Sequence, residues 1–315
     1  MKTKIFIDGS EGTTGLRIHE RFEKREDVEL LKISSELRKD LNERKRLINE
    51  SDITFLCLPD AAAIESVSLV ENENVRIIDT STAHRTNDDW AYGFPELSEK
   101  HYNAIKTGKR IAVPGCHASG FVAIVNPLNA GGILPGDYPV SAFSLTGYSG
   151  GGKKMIAEYE ACDRDSLLEA PREYALTQKH KHLKEMKKIT GLDREPLFSP
   201  ILADYYSGMV VSVPLYTHML KSHKSLNEIH KFFEEHYTNK KFIQVMPLGA
   251  EEEQKNMLSG NACSGYDGMK IYVTGNDERI VISTQFDNLG KGASGAAIQC
   301  LNIMLGCEED KGLNL

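Results

Sequence analysis

Residues 3–24 read TKIFID (3–8), GSEGTTG (9–15) and LRIHERFEK (16–24). The first block is an apolar run of strand length. The last block carries Leu16, Ile18 and Phe22 on a helical stretch, and three glycines stand between the two. Glycine at such a strand-to-helix turn lets the backbone bend tightly and approach a pyrophosphate seated on free helix N-terminal N–H groups. The spacing is G-x-x-G-x-x-G rather than G-x-G-x-x-G, and tight turns also use glycine for steric reasons alone. Its place directly after the first strand points to a dinucleotide site.

Working outward, short apolar runs recur at Leu30–Ser34, Asp52–Leu58, Val75–Asp79 and Arg110–Val113, with helical stretches such as Leu16–Lys24 and Asp40–Glu50 between them. This alternation predicts a Rossmann-type α/β domain with a parallel sheet over residues 1–115. The second strand ends Ile33-Ser34-Ser35 with Arg38 close behind, where an NAD-selective site would place a carboxylate. Hydroxyls and a guanidinium suit a phosphate, so NADP(H) is the expected cofactor; the competing reading is a capping Ser34 and a solvated Arg38.

Beyond Cys116 the texture changes. Phe121–Asn129 reads as a helix, and Val140–Gly147, Met209–Tyr216, Lys241–Val245, Met269–Thr274 and Arg279–Gln285 as longer strands. That predicts an α+β domain with a mixed or antiparallel sheet over 116–288. An Ala/Gly/Ile/Leu-rich helix at 292–306 is expected to return to the first domain. The whole chain has 315 residues, which fits two domains. Its 40% hydrophobic and 26% charged content is that of an ordinary globular protein. A net charge of −7 argues against a general nucleic-acid binder. No apolar run reaches membrane-spanning length and the N-terminus shows no secretory signal pattern, so a cytoplasmic protein with its six cysteines reduced is expected.

Pro114-Gly115-Cys116-His117-Ala118-Ser119-Gly120 follows the fifth apolar run and opens a helix. A thiol there meets the positive end of the helix dipole, which favours the nucleophilic thiolate. Cys57 and Cys300, inside apolar segments, read instead as small buried hydrophobes. A thiolate nucleophile needs a proton-moving partner, and histidine is the usual one. His180-Lys181-His182-Leu183-Lys184-Glu185 is the densest candidate, with His182 and Glu185 sharing a face if helical; the competing reading is a solvated charged face. No spacing suggests a third or fourth metal ligand, so no metal is expected. His117, as the neighbour of Cys116 at a helix start, is expected to point elsewhere; His19, His218, His223, His230 and His236 are expected at the surface. Two polar loops, Asp79–Arg85 and Tyr148–Lys154, supply hydroxyls, amides and cations suited to an anionic group, or else are ordinary solvated loops.

In this order the motifs GSEGTTG, IDTSTAHR (78–85), YGFPEL (92–97), VPGCHASG (113–120), TGYSGGGK (146–153), HKHLKE (180–185) and DNLGKGASGAA (287–297) resemble the short-form N-acetyl-γ-glutamyl-phosphate reductases across essentially the whole chain. Wider relatives are the aspartate-semialdehyde and glyceraldehyde-3-phosphate dehydrogenases, and the resemblance implies their catalytic fold for the second domain. It implies Cys116 as nucleophile and His180 as acid/base, with Tyr174, His182 and Glu185 shaping the substrate site. It places Gly9, Ser10, Gly12, Thr13, Thr14 and Gly15 on the cofactor, Ser34 and Arg38 on its extra phosphate, and Asn288 near the nicotinamide. Ser81, Arg85, Ser149 and Lys153 are the candidates for substrate phosphate and carboxylate. Lys184 stands where many relatives have proline. The implied activity is NADPH-dependent reduction of an acyl-phosphate substrate through a cysteine thioester, in a homodimer or homotetramer. A related enzyme acting on aspartyl phosphate, a thiol hydrolase or acyltransferase, and a non-catalytic NADPH sensor are the alternatives.

Overall fold

The computed structural model describes residues 2–23 and 25–315, and the chain divides into two compact units, Met1–Gly115 with Ala293–Asn314, and Cys116–Gly292. In the first unit the elements run β1 (Thr3–Asp8), α1 (Thr13–Phe22), β2 (Val28–Leu31), α2 (Leu41–Glu50), β3 (Ile53–Leu56), α3 (Asp60–Ser68), β4 (Arg76–Asp79), β5 (Ala91–Tyr92), α4 (Glu99–Thr107) and β6 (Arg110–Ala112). The six strands form an all-parallel sheet in the order β2-β1-β3-β4-β6-β5. Parallel strands are buried on both faces, which is why consecutive strand residues such as Ile5, Phe6, Phe55, Leu56, Ile77 and Ile78 are apolar and, like Ile53, at most 2% exposed.

The first helix starts at Thr13, not Leu16, because Gly12 is extended and serves as its N-cap. Its expected end at Lys24 lies outside the described residues. The second strand stops at Leu31, three residues before Ser34; Ile33 still packs on the apolar cluster under the sheet, which extends the apolar pattern past the last paired residue. At the C-terminal end of β1, the Asp8 carboxylate accepts from Arg44 Nε and Nη2 and from Ser66 Oγ at 2.8–3.3 Å. This buried pair ties the strand end to α2 and α3 just ahead of the glycine turn.

The second unit carries α5 (Cys116–Ala130), β7 (Ser141–Gly147), α6 (Gly152–Glu160), β8 (Arg172–Glu173), α7 (Leu183–Thr190), β9 (Leu197–Ala203), β10 (Met209–Tyr216), α8 (Leu226–His236), β11 (Ile243–Val245), β12 (Met269–Gly275) and β13 (Arg279–Phe286). Its seven strands form a mixed sheet ordered β11-β12-β13-β10-β7-β9-β8, parallel only at β11–β12 and β7–β9. Residues 209, 211, 213 and 215 of β10 are buried while 212, 214 and 216 are more open, the period-2 signature of a sheet covered on one face. The helix α5 lies against β10 and β13 and begins at Cys116, five residues earlier than its apolar run suggests.

Pro127 sits inside α5 and has no N–H for the Ala123 carbonyl. The buried Tyr237 hydroxyl donates to that oxygen at 2.7 Å, so the helix keeps a proline without an unsatisfied group. A π-helical turn, Gly290–Ser294, leads back into α9 (Gly295–Leu305), whose Ala296, Ala297, Ile298, Leu301 and Ile303 belong to the first unit's core.

Candidate active site

Cys116 is the first residue of α5 and is half-buried, while all six cysteines are free thiols. A Cβ on Gly292 would come within 3.0 Å of the Cys116 Cβ and 3.1 Å of the Asp287 carbonyl oxygen. Glycine lets that segment close over the base of the thiol without displacing either atom.

One residue on, His117 is buried in the unit's interior at 3% exposure. Its Nδ1 lies 2.6 Å from Ser144 Oγ on β7 and its Nε2 2.6 Å from the Tyr174 hydroxyl. The His180 and Phe198 rings stand edge-on to it at 5.4 and 5.3 Å, and the His182 ring is tilted against it at 5.6 Å. This residue is therefore the hub that joins the start of α5 to the H-x-H motif. No local signal announces it, because its partners come from positions 144, 174, 180, 182 and 198.

Burial, then the charges of His180 and Lys181, push His117 down to about 3, so it is neutral at physiological pH. His180 is likewise pushed down to about 4, by burial first and Lys181 second. The His182 backbone N–H donates to His180 Nδ1 at 3.2 Å. A neutral His180 with Nδ1 as acceptor carries its proton on Nε2, which makes that edge a hydrogen-bond donor. Burial and the nearby Cys116 push the Tyr174 phenol up, keeping it a neutral donor as well. His182 is the N-cap of α7 and Glu185 its third residue, and both are buried. The two therefore flank the first turn of a short helix, and His180 precedes that helix.

Several polar residues expected to face ligands are held by the protein itself. Asn288 Oδ1 accepts from Gly208 N at 2.8 Å and its Nδ2 donates to Ser149 Oγ at 3.0 Å; both residues are at most 2% exposed. The pair fixes the tight turn Tyr148–Gly151, beyond which the expected loop is already helix α6, with Lys153 exposed in its first turn. Ser81 donates its hydroxyl to Asp79 at 2.7 Å, His84 Nδ1 meets the same carboxylate at 2.6 Å, and His84 stacks on Trp90. Arg85 donates to the carbonyls of Val113 and Thr80 at 2.8 and 2.9 Å and is 8% exposed. It tethers the segment just before Cys116 rather than offering an open cation. His230, expected at the surface, is buried on α8 with its Nε2 2.8 Å from the Met246 carbonyl.

In the first unit, Gly9 has φ of 88°, and a Cβ there would meet the Cys57 carbonyl oxygen at 2.4 Å. A Cβ on Gly15 would strike the Gly9 carbonyl oxygen at the same distance. No side chain caps α1 at Gly12, and the buried Thr13 hydroxyl has no hydrogen-bond partner. Bare N–H groups, an orphaned hydroxyl and close-approach glycines make a cradle for an anionic pyrophosphate. Ser10 and Thr14 border the same turn, Ser34 is exposed, and Arg38 pairs with Glu11 of the glycine turn.

The comparisons with known proteins agree with this architecture. Residues 4–105 match the semialdehyde dehydrogenase NAD binding domain, and residues 116–288 the semialdehyde dehydrogenase dimerisation domain. Aspartate semialdehyde dehydrogenase from Francisella tularensis superposes with a TM-score of 0.73 at 16% identity, covering 96% of this chain and 100% of that one. Aspartate semialdehyde dehydrogenase II from Vibrio cholerae, complexed with ASA, gives 0.72 at 13% identity, covering 97% and 99%. The fold is thus that of the semialdehyde dehydrogenases, oxidoreductases with a nicotinamide-dinucleotide domain. In sequence, N-acetyl-γ-glutamyl-phosphate reductase 2 of Nostoc sp. is 43% identical over 320 residues, covering 99% of both chains. N-acetyl-γ-glutamyl-phosphate reductase of Brucella canis is 44% identical over 310 residues, covering 97% of this chain and 100% of its own. The chain belongs to the N-acetyl-γ-glutamyl-phosphate reductase family. Among the described residues no helix is long and apolar enough to cross a membrane.

Proposed function

We propose that the protein reduces N-acetyl-γ-glutamyl phosphate to N-acetyl-L-glutamate 5-semialdehyde with NADPH, as a cytoplasmic enzyme of arginine biosynthesis. The observation that carries the mechanism is a thiol at a helix N-terminus whose chain neighbour, His117, touches a histidine with its proton fixed on Nε2. In this reading the unit built on β1–β6 binds the cofactor, and Cys116–Asn288 forms the catalytic and dimerisation domain.

The N-terminus of α5 stabilises negative charge on the Cys116 sulfur. That sulfur attacks the acyl carbon, the bond to the phosphate oxygen breaks, inorganic phosphate leaves, and a thioester remains. When bound, the cofactor supplies the hydride that this acyl carbon accepts. His180 Nε2–H donates to the carbonyl oxygen as it gains charge and protonates it, a contribution of about 10²–10⁴-fold. On collapse His180 takes the proton back, the carbon–sulfur bond breaks, and aldehyde and free Cys116 are released. Tyr174 and His182 border the imidazole, and together with Glu185, buried in the first turn of α7, they shape the substrate's surroundings. Gly9, Ser10, Gly12, Thr13, Thr14 and Gly15 would hold the pyrophosphate of NADP(H), and Ser34 and Arg38 its extra phosphate.

The outer face of the second sheet carries Phe143, Leu197 and Tyr216 at 50, 66 and 53% exposure. We assign this apolar face to contact between identical subunits, in line with the dimerisation domain matched there. The test of the activity is the reverse reaction, phosphate-dependent reduction of NADP by N-acetyl-glutamate semialdehyde, with aspartate semialdehyde as control. Cys116→Ser abolishes it while leaving NADPH affinity unchanged; full activity in that variant removes the thioester route. Preference for aspartate semialdehyde would replace the substrate.

A further inference from the structure

The segment that leads to His180 contains a side chain standing in for a piece of β-strand. Arg172 pairs with Leu202 and Glu173 with Ile201 along β9, and the Tyr174 N–H donates to the Pro200 carbonyl at 3.1 Å. Continued for two residues, this antiparallel register would set Leu176 against Phe198. The chain instead leaves the ladder at Ala175, with φ of 52°, and turns at Gln178, with φ of 55°, whose N–H bonds back to the Ala175 carbonyl at 2.9 Å. Leu176 is thrown outward and is 73% exposed.

The rung it vacates is filled by the carboxamide of Gln178. Nε2 donates to the Phe198 carbonyl at 2.9 Å and Oε1 accepts from the Phe198 N–H at 3.0 Å, the paired bonds that a strand residue would make. Left-handed backbone at two non-glycine residues within four positions persists only where the surroundings compensate it. The double bond to Phe198 is such a compensation. Two residues further on, the His180 ring lies edge-on against Phe198 at 5.2 Å and against His117 at 5.4 Å.

We propose that Gln178 is a positioning residue for His180: its carboxamide, acting as a surrogate peptide group on β9, fixes where the loop ends and so holds the imidazole against Phe198 and His117. This rests on His180 being the acid/base group of the reaction above. Burial is the main cause of the low His180 pKa, so a ring released from its place titrates closer to a solvated imidazole.

The variant Gln178→Met keeps the length of the side chain and removes both hydrogen bonds. Its kcat falls by about 100-fold, the cost of a misplaced catalytic group, with KM within about twofold. In the ligand-free protein, NMR titration of the His180 ring moves upward from about 4 towards ~6.5. Gln178→Glu retains the acceptor for the Phe198 N–H and loses less activity than the methionine variant. Ala175→Gly relieves one left-handed residue, leaves the carboxamide in place and retains wild-type kcat. An unmoved His180 titration in both Gln178 variants overturns the proposal whatever the rates, as does wild-type kcat in Gln178→Met. Should the unaltered protein lack reductase activity altogether, the functional reading fails, and the NMR titration still decides whether Gln178 holds the ring.

Discussion

The buried imidazole of His117 makes the catalytic unit acid-labile in a defined window. Folded, it is pushed down to about 3, whereas an unfolded chain holds it near 6.5. A group whose pKa is lower in the folded state contributes stability above its unfolded value, and that stability drains away as the pH falls, because the unfolded chain takes the proton first. Between pH 7 and 5 the unfolded state gains about 1.5 pH units of protonation free energy that the folded state does not, or about 2 kcal/mol at 1.36 kcal/mol per unit. The assay is urea unfolding followed by far-UV circular dichroism at pH 7, 6 and 5, in the wild type and in His117→Asn. The variant is less stable at pH 7, since the Ser144 and Tyr174 hydroxyls lose their ring partner, yet its stability falls by about 2 kcal/mol less between pH 7 and 5. His180 has a lowered pKa of the same sign and is present in both proteins, so the difference reads His117 together with whatever its removal changes at the neighbouring His180. Parallel pH dependences in the two proteins would refute the reasoning.

Other changes test other contacts. Tyr237→Phe leaves the Ala123 carbonyl without its phenol and costs about 1–3 kcal/mol, read as a lower urea midpoint. Gly292→Ala presses a methyl group against the base of Cys116, so kcat falls by about tenfold and the rate of thiol labelling by iodoacetamide changes with it; an unaffected rate of both shows that the contact relaxes freely. Glu11→Gln releases Arg38 from its exposed ion pair and removes a carboxylate from the pyrophosphate turn, so both cofactors bind more tightly, NADP by up to about fivefold more than NAD, measured by fluorescence titration. Equal effects on the two cofactors would remove Arg38 from the extra phosphate.

Much of the first unit was legible because a parallel sheet writes itself as apolar runs, and because the glycine turn follows the first of them. Even there the apolar pattern runs past the end of the second strand, since Ile33 packs on the core without pairing. In the second unit β9 is not among the expected strands; it lies between β7 and β8 and carries Pro200, which has no N–H to give. The apolar run of helix α5 starts only at Phe121 because Cys116–Gly120 are small or polar, although His117–Gly120 are buried as well. Cys116 and the two histidines of the H-x-H motif stood out by residue type and spacing. The placing of His117 did not, because its partners are gathered only by the tertiary fold. The loop residues Ser81, Arg85, Ser149 and Asn288 have the right chemistry for anions, but their polar atoms meet carbonyls, amides and carboxylates of the chain itself. Composition alone carries no information about that choice.

The helix that begins with the thiol carries its proline three turns later, mended by a tyrosine more than a hundred positions away. That makes the two positions contingent on each other. With alanine at 127 the helix supplies its own donor, and phenylalanine at 237 becomes nearly harmless. In a descending lineage the proline should therefore disappear before the tyrosine does, since the opposite order passes through a weakened intermediate.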